Sequence, residues 1–344
     1  MVVAGDFAWD LYEPALCRAL RASGAEVFEV RATDFFGPGD LLRRAQSRLV
    51  LGPGPLLASA AFVAACARHR PDLALAWRAP WLSPGALRLA RGAGAGKLAL
   101  YCNDDPFGPD RGLRIWRAWR RGLPHADLVL AYRQQNLAEL QAAGAREVAL
   151  WRSAFDPQVH RPIPPERLTA QERERFACDL VFIGHCEDDG RLELVDRLLG
   201  SGLRVKLFGT GWERLSRGHA WEALPRIEPL RGDDYAKALG CAKAALVLLS
   251  GRNRDTYTRR CFEIPACGAA MLLPRNDELR GLFAEETEAL FWTGPGELIA
   301  QARRLCADEG LRARVAGAGL ARVWKDGHDL PSRARELLRL CGAA

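Results

Sequence analysis

The sequence predicts an α/β protein built from two doubly wound, Rossmann-like halves. Three observations carry that expectation. Short apolar runs alternate with longer helical patterns along most of the 344 residues. The alternation stops once, in a stretch rich in proline and charge near the middle, and then resumes. At about 150 residues per domain, the length has room for two cores.

In the first half, apolar runs fall at 2–4, 26–30, 73–77, 97–101, 128–131 and 148–150. They are too continuous for a sheet with one wet face, so they read as parallel strands covered on both sides. Helical patterns at 11–22, 56–69 and 134–143 lie between them. Pro157, Pro162, Pro164 and Pro165, followed by the charged stretch 166–175, read as an exposed linker. Strands then return at 179–183, 205–208, 244–249, 270–273 and 289–292, with helices at 191–199, 234–239, 259–267, 277–283 and 296–307. The tail adds helices at 312–323 and 331–340; Leu330, Ala334, Leu337 and Leu338 give the last one a buried face. The expected domains are therefore 1–158, a linker at 159–176, a second domain at 177–327, and a terminal segment, 328–344, that can cross back onto the first. Two such domains facing across a cleft make the GT-B architecture. Ligands in these sheets bind beyond the carboxyl ends of the strands.

Composition narrows the function classes. Hydrophobic residues at 49% and charged residues at 26% exclude a disordered or collagenous chain. Forty-nine Lys and Arg against 42 Asp and Glu leave +7, which permits anionic partners without choosing among them. No apolar run reaches the roughly 18 residues of a membrane span, and Asp6 arrives too early for a signal peptide. The ten cysteines form no C-x-x-C pair and no zinc spacing, so reduced thiols, no metal site and a cytoplasmic setting are expected.

The stretch 251–268 follows a strand and enters a helix, where free backbone N–H groups favour an anion. Arg259 and Arg260 stand in its first turn, where cations are disfavoured. A bound phosphate would explain them; pairing with Asp255 or Glu263 on the surface is the alternative. Gly184 and His185 end the strand at 179–183, and Gly209, Gly211 and Trp212 end the strand at 205–208. Glycine there lets a ligand approach the backbone, although Trp212 also suits a core. In the first half, Asn103, Asp104 and Asp105 follow the strand at 97–101. Asp104 is a candidate to orient or deprotonate an acceptor hydroxyl; a turn cap before Pro106 is the competing account. Gly5 and Asp6 end the first strand in the same way.

Two segments imitate sites. Gly92–Lys97 is glycine-rich but precedes a strand and lacks the hydroxyl residue of a phosphate loop. The stretch 111–121 puts Arg111, Arg114 and Arg117 near one helical face beside Trp116 and Trp119. It reads either as a peripheral contact with an anionic surface or as a solvated face over buried rings.

Arg260-Cys-Phe-Glu-Ile-Pro-Ala-Cys-Gly268, with Phe182-Ile-Gly184, Phe208-Gly-Thr-Gly-Trp212 and Asp234-Tyr235, resembles the CgeB-like (spore maturation protein) glycosyltransferases. The likeness is weaker in the first half, at Asp104-Asp-Pro106 and Asp156-Pro157. It implies a hexosyltransferase-like enzyme of class EC 2.4 with the GT-B fold, metal-independent and retaining. The donor would be a nucleotide-diphosphate sugar, with no further cofactor; the acceptor would be a protein, glycan or small molecule. By the same resemblance Arg260, with Arg259, holds the diphosphate and Glu263 the ribose. Asp255 stands eight residues before Glu263, where related enzymes carry a sugar-binding Glu. Tyr257 and Thr258 would add hydroxyl bonds, and Gly184, His185, Gly209, Gly211 and Gly268 would line the donor site. The shorter Asp255 keeps a non-catalytic nucleotide- or sugar-binding protein open as an alternative. A transferase acting on nucleic acid rests on positive charge alone, without a stacking motif for single strands.

Overall fold

The computed structural model describes residues 1–37, 40–215, 217–224 and 226–342. Among them it holds two sheets, and every strand pairing is parallel. The first sheet contains β1 (Val2–Gly5), β2 (Phe28–Arg31), β3 (Leu73–Trp77), β4 (Lys97–Cys102), β5 (Leu128–Ala131) and β6 (Val148–Leu150). Their order is β2-β1-β3-β4-β5-β6, so the direction of winding reverses between β1 and β3. The second contains β7 (Cys178–Ile183), β8 (Val205–Phe208), β9 (Ala242–Leu246), β10 (Met271–Pro274) and β11 (Leu290–Trp292). Its order is β11-β10-β9-β7-β8, with the reversal between β7 and β9. Reversal points open a crevice at the carboxyl ends of the flanking strands.

The expected strands all form; β1, β3 and β5 are buried along their whole length, whereas the edge strands β2, β6 and β8 are only partly covered. The main shift is β9, which starts and ends earlier than 244–249. Val247 still donates to the Leu272 carbonyl, but the chain then leaves the ladder and the Leu249 carbonyl accepts from Arg191 instead. Gly92–Lys97 is a helix-to-strand turn. Gly94 has φ +109°, and a Cβ at Gly96 would lie 2.7 Å from the Asp72 carbonyl oxygen.

The chain divides into two compact units. One comprises Met1–Ser153 and the chain from Leu330 onward; the other is Ala154–Asp329. Helix Leu330–Leu340 packs on helix Glu13–Ala22 and buries Leu330, Ala334 and Leu337. Each buried leucine is worth about 1.5–3 kcal/mol. The Trp151 indole donates to the Arg333 carbonyl at 3.2 Å, and Lys97 donates to the Leu340 carbonyl at 3.1 Å. Trp151 also meets Tyr101 edge-on at 4.7 Å, and Tyr101 meets Trp77 at 4.8 Å.

The stretch read as a linker, 159–176, belongs to the second unit and is not free of regular structure. Helix Ala170–Phe176 forms there behind a capping box, in which Thr169 and Glu172 satisfy each other's backbone N–H groups. Phe176 is fully buried and anchors it. The unit begins and ends side by side: Phe155 donates to the His328 carbonyl at 3.0 Å and bridges to Asp329.

Candidate functional site

In the second unit the reversal point lies between the ends of β7 and β9, and the loops leaving these strands are stitched together. Arg191 forks onto Asp189 with bonds of 2.7 and 2.6 Å and also donates to the His185 and Leu249 carbonyls. Ser250 donates to Glu187 at 2.6 Å, and the Gly251 N–H donates to Asp189 at 3.1 Å. This lattice holds Gly184, His185 and the 250–258 turn in place before any ligand arrives.

Arg260 enters that crevice. Its Nε donates to the Ile183 carbonyl at the end of β7. Its guanidinium lies so close to Gly184 that a Cβ there would be 3.0 Å from Nη2. Glycine at 184 is therefore required by Arg260 and by Phe182, whose ring a Cβ would meet at 2.7 Å. His185 is exposed beside it and pairs with the Thr210 hydroxyl. Local burial and the charge of Arg260 hold its imidazole below the ordinary value, so it stays neutral next to the cation.

Glu263 is buried behind this surface, at 2% exposure. Tyr235 donates its hydroxyl to Oε2 at 2.8 Å, and Arg259 pairs with Oε1. His160 Nε2 stands 3.5 Å from Oε1. The Asp156 N–H donates to His160 Nδ1 at 2.9 Å, which leaves the neutral ring's proton on Nε2, facing Glu263. Burial alone would raise the Glu263 carboxyl; Arg259, His160, the Tyr235 hydroxyl and Arg260 outweigh it and hold it below the ordinary value. Burial pushes His160 down despite Glu263, so the charge partner of the carboxylate is Arg259. The Arg259–Glu263 pairing weighed from sequence forms, but it is an interior pair and not a surface one.

The remaining sequence candidates separate. Asp255 is half-buried in the turn before the helix, its N–H donating to the Ser250 carbonyl at 2.9 Å. Thr258 is buried, and its carbonyl accepts from the Cys261 N–H in the first turn of helix Arg260–Ala266. Tyr257 is fully buried, its ring 5.8 Å from Phe262. Gly268, at φ +74°, ends the Arg260 helix against Pro162. Gly211, at φ +87°, turns the chain into the buried Trp212, whose indole donates to the Gly184 carbonyl at 3.1 Å. Gly209 serves close packing of backbone: at φ +141°, a Cβ would lie 1.9 Å from the Gly184 oxygen. We expect Gly209→Ala to cost about 3 kcal/mol in denaturant unfolding, the upper range for forced overpacking. A loss within error would show that the two turns can separate.

The first unit has its own reversal-point cluster. Asp104 pairs with Arg78 Nε at 2.7 Å, and Arg78 takes a left-handed φ of +45° as the chain leaves β3. Arg78, Asp6 and Trp81 line a cavity of about 100 Å³. Asp105 is a turn cap, accepting from the Phe107 N–H at 2.9 Å and from Asn136 at 3.1 Å. Asn103 accepts from the Trp77 indole at 3.1 Å. Gly5 is pressed by Glu13, whose Oε1 would lie 2.6 Å from a Cβ there and accepts the Asp6 N–H at 3.1 Å. Burial pushes the Glu13 carboxyl up to about 7, against the pull of its backbone hydrogen bonds. The fold thus favours neutral Glu13: its contribution is complete below its usual 4.5 and fades as pH rises through 7. Between about pH 5 and pH 8 this carboxyl is expected to remove up to ~3 kcal/mol of stability. Glu13→Gln should flatten that loss in denaturant titrations at the two pH values; an unchanged slope would refute the assignment.

Arg78, Glu13 and His160 were missed by sequence reasoning. Only position after a strand could have flagged Arg78; Glu13 and His160 gain significance from partners distant in the chain.

Residues 191–339 match the profile of a family described as glycosyl transferase-like. No curated protein sequence matches the chain. Among solved structures, HepE of Anabaena, in complex with UDP and glucose, is similar over 100% of this chain and 99% of its own, with TM-score 0.69 and 14% identity. The fold is GT-B. Sucrose-phosphate synthase of Thermosynechococcus elongatus covers 99% of this chain and 98% of its own, at TM-score 0.68 and 14% identity. The α,α-trehalose 6-phosphate synthase of Burkholderia multivorans covers 99% and 98%, at 0.65 and 12%.

Proposed function

We propose that the chain is a glycosyltransferase that takes a sugar from a nucleotide-diphosphate donor held by the second unit. The observation that carries the reading is Arg260. It lies at the end of β7, at the sheet's reversal point, within the segment that matches the glycosyl transferase-like profile. As the glycosidic bond loosens, negative charge grows on the leaving diphosphate, and a fixed guanidinium aimed there stabilises it. His185 and Asp255 are the neighbouring polar groups for the phosphate and the sugar. Glu263 acts from behind, by fixing Arg259 and the helix that carries Arg260. Because the stabilising charge comes from arginine, the proposal includes transfer without a metal, and by resemblance with retention. The proposal includes a cytoplasmic setting, argued from the cysteine spacing of the sequence.

The UDP bound by HepE makes uridine diphosphate the first nucleotide to try. A ligand at about 100 times its Kd adds ~2.7 kcal/mol to stability. A panel of nucleoside diphosphates in thermal unfolding should therefore show one base shifting Tm by several degrees, with the shift absent in Arg260→Ala. No shift with any nucleotide would overturn the donor site. A shift without nucleoside diphosphate release from any UDP-sugar tested, EDTA present or absent, would favour the binding protein.

A further inference from the structure

Six of the nine large hydrophobic side chains exposed among the described residues gather on neighbouring elements of the first unit: Leu42, Leu49, Leu51, Leu56, Leu57 and Leu113. Helix Asp40–Leu49 carries the first two and packs against both helix Pro53–His69 and helix Arg114–Gly122. Scattered exposed leucines need no explanation, but a cluster marks an interaction surface. Leu51 and Leu56, at 50% and 72% exposure, line a groove of about 530 Å³. Arg114, Arg117 and Arg121 line the same groove. All three arginines are exposed, and none has an ion-pair partner among the described residues. Burial, and then the like charges of Arg111 and Arg117, hold neighbouring Arg120 below its ordinary value. Trp81, also on the groove wall, has a buried indole N–H with no acceptor among the described residues.

The corner that carries Leu49 and Leu51 is fastened from within by hydrogen bonds of Gln46. The helices Leu42–Leu49 and Pro53–His69 meet at a 66° bend. Val50, in the bend, takes a left-handed φ of +51°, unusual for a β-branched residue. Buried Gln46 pins the corner, donating to the Phe36 carbonyl at 3.1 Å and accepting the Gly54 N–H at 2.8 Å. Among the described residues no single helix is long and apolar enough to cross a membrane. The basic helix contributes no aromatic anchor, since Trp116 and Trp119 are buried.

We propose that this leucine corner and the arginine face beside it dock the first unit on the surface of an anionic lipid bilayer, leucines among the acyl chains and arginines on the phosphates. The pairing of apolar side chains with unpaired arginines along one groove is what an interfacial binder of acidic lipid requires. Each arginine near such a surface contributes about fivefold in binding, so the three together contribute about a hundredfold.

The test is co-sedimentation of the full chain with vesicles of phosphatidylcholine alone, or with about one-third phosphatidylglycerol. Binding is expected to the anionic vesicles only and to weaken with salt. Arg114→Gln/Arg117→Gln/Arg121→Gln should weaken it about a hundredfold, and Leu51→Asp/Leu56→Asp should abolish it. Both variants change exposed side chains, so unfolding midpoints should match the parent. Failure to bind anionic vesicles, or equal binding by both variants, would overturn the proposal. So would a dimer in sedimentation velocity that the same substitutions dissolve without any vesicle binding, since the surface would then belong to a second copy.

Discussion

Arg260→Ala is expected to lower sugar transfer by about 10²–10³-fold, the scale of removing one preorganised donor from a developing negative charge. Two features make the residue sensitive. Its Nε is committed to the Ile183 carbonyl, so the terminal nitrogens are held in one direction. Gly184 leaves no side chain between the guanidinium and the crevice. Arg260→Lys keeps the charge but loses the planar fork, and should fall between the two. Release of nucleoside diphosphate from a UDP-sugar gives the rate; a denaturant titration beside it separates loss of chemistry from loss of fold. Near-parental turnover in a folded Arg260→Ala protein would remove the residue from the mechanism.

Glu263→Ala is expected to destabilise the second unit by about 3–5 kcal/mol, the cost of stripping a buried charge of its partner. It leaves Arg259 without its carboxylate and Tyr235 without its acceptor. Glu263→Gln keeps an acceptor for Tyr235 and should cost less, but still takes the Glu263 charge away from Arg259. The pH dependence has a definite sign. Because the folded carboxyl is held below its ordinary value, its contribution is present at neutral pH and lost as pH falls through the folded value. Glu13, in the other unit, acts in the opposite direction. A change below 1 kcal/mol in Glu263→Ala would mean that Arg259 finds another partner and the carboxylate is no hub.

The central strands were legible because parallel strands buried on both faces must be continuously apolar, and β3 and β5 run from end to end where the apolar runs do; the edge strands β6 and β8 keep the expected bounds though only partly buried. Helix Ala170–Phe176 was hidden by the prolines before it, although Thr169 and Glu172 carried its capping signature. The arginine pair at 259 and 260 was legible as an oddity of helix electrostatics. Its division of labour was not: one guanidinium faces an interior carboxylate and the other the end of β7. That division depends on His160 and Tyr235 converging on Glu263 from distant parts of the chain. Gly209 read as space for a ligand, whereas the nearest neighbour is the Gly184 carbonyl, a contact visible only once β7 and β8 are paired.

The helix Leu330–Leu340 closes the first unit, yet 176 residues of the second unit, Ala154 to Asp329, come before it. During synthesis at roughly 5–20 residues per second, the first sheet therefore waits about 9–35 s for the helix that covers its Glu13–Ala22 face. The second unit is contiguous in the chain and has no such wait. Vectorial synthesis thus inverts the reading order: the unit encoded later can be completed earlier, and the first one is exposed to chaperones longest.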